Sequence, residues 1–239
     1  MVNLAKMDKR ALGRGFDHSV RPKNTTESDI RKGCREAVKY NCAAFYSATP
    51  FWTPAVLEEL AGSDVLPATG IDFPFGASPS KLKAIETEYA VAAGCRAVDM
   101  VLNVGALKDG RHDLIRQELR DFKSAAGSAV TKVILEVAFL TDDEITAACH
   151  MIAEVGCDYA KTSTGQFEGP DMDQFLVMKR ALVGSGVRLK VAGVKFPRPQ
   201  NAYAFLLAGA ELIGTRAAAA IIEALDTMRE IGLVPPYEG

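Results

Sequence analysis

Apolar positions along the chain fall into two alternating patterns. Short runs rich in β-branched and aromatic residues read FDHSV, CAAFYSA, LPATGIDF, AVDMVLN, KVILEVA, DYAKTS, VRLKVAG and ELIGT. Between and after them lie longer stretches with helical apolar spacing, at roughly 26–40, 53–61, 79–93, 111–126, 142–155, 171–183, 199–208 and 217–231. The short runs have the composition and length of strands, and the longer ones the period of amphipathic helices.

The punctuation repeats as well. In AAGCRAVDM, EVGCDYAKT and LAGAELIGT a glycine follows the helix, and a strand begins two residues later. Glycine accepts the left-handed backbone that closes a helix. With Gly127 and Gly186 included, these glycines recur about every 30 residues, the length of one strand–helix unit. Thr141 and Glu144 form a capping box at a helix start, and Pro79 suits a first helical turn. No Gly/Ser linker or low-complexity stretch divides the chain. Eight strands, each followed by a helix, predict an α/β fold: a single-domain (β/α)8 TIM barrel over residues 16–231. Residues 1–15 read as a short, partly helical N-terminal extension and 232–239 as a C-terminal tail. An open doubly wound sheet is the alternative arrangement.

Composition narrows the function classes. A formal charge of -2 creates no global field for nucleic acid or a membrane surface. No apolar run reaches the roughly 18 residues of a membrane span, and the N-terminal residues lack the apolar core of a signal peptide. Five cysteines without a CxxC pair read as buried thiols in a reducing cytoplasm. His18, His112 and His150 lack ligand spacing, so no metal is expected.

Candidate chemistry comes from strand parity. In a barrel, alternate residues face the helices, and that side must be apolar. Val98, Met100 and Leu102 take the outer side, which turns Asp99 and Asn103 inward. Val133, Leu135 and Val137 turn Glu136 inward; Ala160 and Thr162 turn Lys161 and Ser163 inward; Val187, Leu189 and Val191 turn Arg188 and Lys190 inward. Lysine is almost never buried unless paired. Two acids and two lysines sent into one interior, mostly near strand C-terminal ends, mark an active site more than a structural pair.

Lys161 and Lys190 fall on neighbouring strands. Two ammonium groups about 5 Å apart repel by about 3 kcal/mol at an effective dielectric near 20. Burial disfavours the charged amine further. One lysine would then be a free amine near neutral pH, able to attack a carbonyl and form a Schiff base, with Asp99 relaying protons. The competing reading is a neutral ionic network without turnover. The turn that follows, from Thr162 to the bend at Gly165, offers hydroxyls and N–H groups to substrate oxygens.

The segments VDMVLNVGALKDG, KVILEVAFLTDDEI, DYAKTSTGQF and LKVAG resemble, in order and spacing, the deoxyribose-phosphate aldolase family of DeoC-like class I aldolases. FDHSV, FPFGAS and GTR fit the same frame, and the likeness runs from about Phe16 to Leu225. The resemblance implies a metal-free barrel with no cofactor beyond a covalent Schiff base on Lys161. It also implies that Lys190 lowers the pKa of Lys161 and that Asp99 manages protons. Asp17 and Glu136 match acidic positions of the frame. The family reaction is reversible cleavage of 2-deoxy-D-ribose 5-phosphate into acetaldehyde and D-glyceraldehyde 3-phosphate.

The departures from the family pattern cluster at the phosphate end. AGVKFPRP keeps Gly193, but either Val194 replaces the second glycine of the family pattern, or that glycine is missing and Lys195 stands in for the family arginine. GTRAA keeps Gly214 but puts Arg216 and Ala217 where small hydroxyl residues are usual. Asp72, Ser47 and Gln166 also alter the lining, and Asp72 is expected to place a negative charge near the mouth. The retained and altered positions together are the expected substrate contacts. Three readings follow: cleavage of deoxyribose 5-phosphate; the same chemistry on a non-phosphorylated or carboxylated sugar; or a silent barrel that binds without turnover. The partner expected in the first two is a small aldehyde or sugar, and self-association into a homo-oligomer stays open. Tyr237 could reach the mouth if the tail folded over it, although a disordered tail is the plainer expectation.

Overall fold

The computed structural model describes residues 2–239. Its strands are β1 (Phe16–Val20), β2 (Ala44–Ser47), β3 (Leu66–Ile71), β4 (Ala97–Val101), β5 (Val130–Ile134), β6 (Tyr159–Lys161), β7 (Arg188–Ala192) and β8 (Leu212–Thr215). The helices are α1 (Lys9–Gly13), α2 (Glu27–Lys39), α3 (Thr53–Leu60), α4 (Ser80–Ala92), α5 (Val104–Lys108), α6 (His112–Ala126), α7 (Asp142–Val155), α8 (Met172–Ala181), α9 (Arg198–Ala208), α10 (Ala218–Glu223) and α11 (Leu225–Glu230). All strand pairs are parallel, and β8 closes on β1. Closure excludes the open doubly wound sheet.

Local signals account for the element ends. Thr141 and Glu144 form both halves of the α7 capping box. Gly156 and Gly209 close α7 and α9 in the left-handed conformation. Pro79 stands one position before its helix, with Ser80 the first helical residue. KVILEVA is shorter as a strand than its apolar pattern suggests. β5 stops at Ile134, because Glu136 turns into the left-handed region at φ 56° and the chain continues as a 3-10 turn.

Two apolar layers hold the barrel. Outward strand residues such as Val98, Met100, Val133, Ala160, Val191 and Ile213 pack beneath the helices in the main core. Inside the barrel, Ala44, Ala68 and Ala97 cluster with Tyr46. These small side chains leave the lower barrel partly unfilled. A cavity of about 450 Å³ opens there at the strand N-terminal ends, with Asp17 and Lys132 among its lining. Val2 and Met7 of the N-terminal extension line it too.

The extension and the tail share this lower face. The Glu238 N–H donates to the Ala5 carbonyl at 2.8 Å, and Arg229 donates to the carbonyls of Leu4 and Met7. Tyr237 lies beside the Arg229 guanidinium, 5.1 Å from ring centroid to Cζ. The tail is therefore tied to the extension rather than folded over the mouth.

One buried ion pair serves the scaffold. Lys83 on α4 bonds Glu118 of α6 at 2.8 Å and also donates to the carbonyls of Gly76 and Val101. Lys83→Ala would leave Glu118 buried without its partner. The expected loss is about 3–5 kcal/mol, read by urea denaturation.

Candidate active site

Strand register brings five charged groups to one level of the interior. Asp99 on β4 pairs with Lys132 on β5, and Lys161 on β6 pairs with Lys190 on β7. Asp17 on β1 sits opposite Gly214 on β8. At Gly214 an added Cβ would lie 3.1 Å from Lys190 Cε, so glycine leaves room for the lysine stem.

Two carboxylates knit the three amines. Lys161 Nζ and Lys190 Nζ each donate to Asp99 Oδ2 at 2.7 Å, so the two nitrogens lie within twice that distance of each other. Lys190 Nζ also reaches Asp17 Oδ2 at 2.5 Å. Lys132 Nζ donates to that oxygen at 2.8 Å and lies 3.5 Å from Asp99 Oδ1. All five residues are at most 3 % exposed. The set balances electrically when one amine carries no proton.

Burial, the largest effect, lowers Lys161 to a pKa of about 7. Asp99 opposes that fall, while Lys190 and Arg21 add to it. Repulsion between the lysines therefore ranks behind desolvation. Lys132 goes the other way: burial disfavours its charge, but Asp17 and Asp99 outweigh it and hold the amine above its ordinary value. Burial alone would raise Asp99, yet Lys132, Lys161 and Lys190 hold it well below the usual carboxylate range. The balance at Asp17 is similar, with Lys132 and Lys190 overcoming burial. Lys161 is thus the amine set apart as nucleophile.

Above the amines lies a narrow pocket lined by Asp17, Ser19, Arg21, Tyr46, Lys161 and Lys190, with Ala192 and Gly214 completing it. Lys161 Nζ stands 4.7 Å from the Tyr46 ring centroid. Ser19 Oγ, Tyr46 OH, Asp99 Oδ1 and Arg21 Nε are buried without a hydrogen-bond partner among the described residues. Buried polar atoms are normally satisfied, so these are the groups a substrate could engage. The Arg21 guanidinium donates to the Thr164 carbonyl, and Glu136 accepts the Thr164 N–H at 3.1 Å and 3.2 Å. Glu136, Arg21 and the turn after β6 thus brace one another. Burial raises the Glu136 pKa, while the Thr164 contacts lower it.

Beside this pocket a polar cavity of about 240 Å³ lies at the ends of β7 and β8, the usual anion-binding side of a barrel. Arg21, Lys195, Arg198 and Arg216 line it, with Gly165, Gly193 and Gly214 among the backbone positions and Val194 in its wall. Gly193 has φ 80° and packs tightly against Gly169, whose Cβ would collide with the Gly193 carbonyl. The guanidinium groups of Arg21, Arg198 and Arg216 thus share this cavity with Val194.

Three expected substrate contacts lie elsewhere. The Thr162 hydroxyl joins the backbones of β6 and β7, accepting from Ala192 N–H and donating to the Ala192 carbonyl. Its outward parity keeps it from the pocket. Ser47 donates to the Thr49 carbonyl, while its neighbour Tyr46 takes the inward position. Asp72 turns its carboxylate to the N–H and hydroxyl of Ser78 and lies 3.7 Å from Lys83 Nζ, so it adds no charge to the mouth. Lys132, Tyr46 and Arg21 are the site residues that the strand patterns left unread.

With this geometry in hand, comparison with known proteins defines the class. The DeoC/LacD family aldolase model matches residues 14–198. A deoxyribose-phosphate aldolase of Bacillus cereus is 39 % identical over 222 residues, covering 92 % of this chain and 95 % of the relative. Among solved structures, QR15, an aldolase, superposes with a TM-score of 0.84 at 26 % identity, covering 92 % of this chain and 98 % of that one. The tetrameric deoxyribose phosphate aldolase of Aeropyrum pernix gives 0.83 at 25 % identity, with coverage of 95 % and 96 %. The chain belongs to the DeoC/LacD aldolase family.

Proposed function

We propose that the protein is a class I aldolase that reversibly cleaves 2-deoxy-D-ribose 5-phosphate into acetaldehyde and D-glyceraldehyde 3-phosphate. The observation that carries this reading is the buried Lys161 amine, with a pKa of about 7, bonded to the same Asp99 oxygen as Lys190. The free amine adds to the sugar aldehyde to give a carbinolamine. Asp99 and Lys190 move the protons that let hydroxide leave as water, forming an iminium. The C3 hydroxyl then gives up its proton as the C2–C3 bond breaks, and the electron pair of that bond enters the iminium, giving an enamine and releasing glyceraldehyde phosphate. Protonation of the enamine and hydrolysis release acetaldehyde and restore the amine. The iminium is the electron sink, so the proposal requires no metal or organic cofactor.

In this reading Asp17 and Lys132 hold Asp99 and Lys190 in place, while Glu136 positions the turn after β6. The substrate's anionic end enters the cavity lined by Lys195, Arg198 and Arg216, near Gly165, Gly193 and Gly214. The same guanidinium groups favour a second substrate reading, a carboxylated sugar. No helix is long and apolar enough to cross a membrane among the described residues. A cytoplasmic setting and a homo-oligomer, as in the tetrameric Aeropyrum relative, belong to the same proposal.

Borohydride reduction with acetaldehyde, followed by peptide mass mapping, tests the reading. A reduced two-carbon adduct on Lys161 supports it; no lysine adduct would leave a silent binding barrel. Turnover of deoxyribose 5-phosphate against a carboxylated analogue then decides the anion. The pH profile supplies a further check. Lys161 is the free amine above about pH 7, so kcat/KM should rise with pH through that value. Below it the fall should approach about tenfold per pH unit.

A further inference from the structure

Arg188 and the cavity at the foot of the barrel take no part in the chemistry above. The cavity, about 450 Å³, lies on the face opposite the mouth. In barrels of this kind that face usually serves stability alone. Here its roof belongs to the amine network. Asp17 lines both this cavity and the amine pocket, and Lys132 stands beside it. Asp17 Oδ2 is taken by Lys132 and Lys190, whereas Asp17 Oδ1 is buried without a hydrogen-bond partner among the described residues. Asp17 is 1 % exposed, and a carboxylate oxygen so buried is normally satisfied. Ala44, Leu66, Val130 and Leu212 form an apolar shaft below it. Arg188 stands at the open end, its Cζ 4.0 Å from the Tyr159 ring centroid, and forms no ion pair among the described residues. Arg14, the other guanidinium of the rim, is tied to the carbonyls of Cys42 and Asp64. An orphaned acceptor, an apolar shaft and a free cation define a complementary ligand: a hydroxyl, a short alkyl chain and an anion. Arg188 precedes Lys190 by two residues on β7, about 6.6 Å along the strand, which suits a chain of about four methylenes.

We propose that this cavity binds a short ω-hydroxycarboxylate, its hydroxyl donating to Asp17 Oδ1 and its carboxylate meeting Arg188, and that occupation from below slows the enzyme near neutral pH. The effect on turnover rests on the Schiff-base reading above, whereas the binding does not. Between the ligand and Lys161 stand Asp17, Lys132, Lys190 and Asp99. Lys161 also faces Tyr46, Arg21 and Glu136. Arg14, Tyr159, Arg188 and Glu211 face the ligand. The bound carboxylate adds a full negative charge beneath this set, which favours the protonated Lys161 amine. The hydroxyl acts the other way, by drawing on the Asp17 charge that holds Lys190, but a dipole moves less than a full charge. At roughly 10 Å and an effective dielectric near 20, a unit charge shifts a titration by about one pH unit. Solvent at the open end reduces that to about half a unit. Lys161 then keeps its proton to higher pH, and the acid limb of kcat/KM moves up.

The experiment titrates the whole enzyme with 5-hydroxypentanoate by calorimetry, beside pentanoate and 1,5-pentanediol, which lack one end each. The expected Kd is about 1 mM or tighter, at least about fivefold below that of either control. Arg188→Gln should weaken binding about tenfold, with deoxyribose 5-phosphate kcat/KM unchanged within about twofold when the acid is absent. Arg188 is exposed, so the variant keeps the fold. Arg216→Gln, on the cationic cavity at the mouth, should leave the Kd unchanged. At saturation the acid should lower kcat/KM about threefold at pH 6 and leave it unchanged at pH 9. Coupling is reciprocal, so the acid should bind about threefold tighter at pH 6 than at pH 9. No heat of binding at 10 mM, equal affinity for pentanoate, or binding lost in Arg216→Gln but kept in Arg188→Gln would each overturn the proposal. Borohydride trapping separates the two levels. Binding without the pH effect, in an enzyme whose Lys161 takes the adduct, sinks the coupling alone. Absence of the adduct sinks the Schiff-base reading and leaves the calorimetric test of the site intact.

Discussion

Lys161→Met should be almost inactive yet more stable than the parent at pH 7. Removing the nucleophile should lower kcat by about four orders of magnitude or more, because the other two amines at Asp99, Lys190 and Lys132, are also held by Asp17. Stability moves the other way. Lys161 titrates at about 7 in the fold against an ordinary 10.5. Between those values the unfolded chain binds more protons than the folded one, so folded stability climbs with pH through the window and its cost is fully present below 7. The upper bound of that cost is about 5 kcal/mol. Methionine removes it, and Asp99 keeps Lys190 and Lys132 as partners. Part of the gain is lost with the Lys161–Asp99 bond, so the expected net is about 1–3 kcal/mol at pH 7, shrinking toward pH 10.5. Thermal unfolding across that range, beside single-turnover kinetics, checks both halves. A variant destabilised at every pH would contradict the assignment of Lys161 as the strained amine.

Asp99→Asn should damage both properties. It leaves three buried amines facing one carboxylate, at an expected cost of about 3–5 kcal/mol in denaturant unfolding. Loss of proton relay should reduce kcat by about 10²–10⁴-fold. The residual activity carries the more informative signature. Asp99 raises the Lys161 pKa against the pull of burial. Without that carboxylate the amine stays free to lower pH, and the acid limb of kcat/KM should move below about pH 7. An acid limb that stays in place or rises would show that Asp99 does not face Lys161 in the working enzyme.

The barrel was legible because each unit repeats its own grammar. At several units a glycine closes the helix and an apolar outer face begins two residues later. Asp99, Lys161 and Lys190 followed from that outer face, since a side chain between two helix-facing apolar residues has only the interior left. The same rule covers Lys132, which shares parity with Glu136. It escaped notice because KVILEVA opens on the lysine, where an ammonium reads as a solvated strand end. β5 begins two residues earlier, at Val130, which puts Lys132 mid-strand. Arg21 lies just past β1, where periodicity ends and only the fold of the loop decides direction. Ser47 was misplaced because parity in β2 gives the inward position to Tyr46, and Asp72 for a reason related to that of Arg21. At the end of a strand one turn of the backbone exchanges mouth for flank, and Asp72 makes that turn at φ 50°. Thr162 was correctly turned outward by parity, and the polar turn beginning there drew it wrongly toward the substrate.

The stitching of the tail to the N-terminal extension sets how the molecule can be handled. The extension around Ala5 and the tail around Glu238 lie on the side away from the amine pocket, joined by the Glu238–Ala5 bond. A tag, resin linker or electrode tether attached to the extension or the tail would trail from the back. Immobilised copies would then present their entrances to the bulk liquid, where dissolved aldehydes arrive.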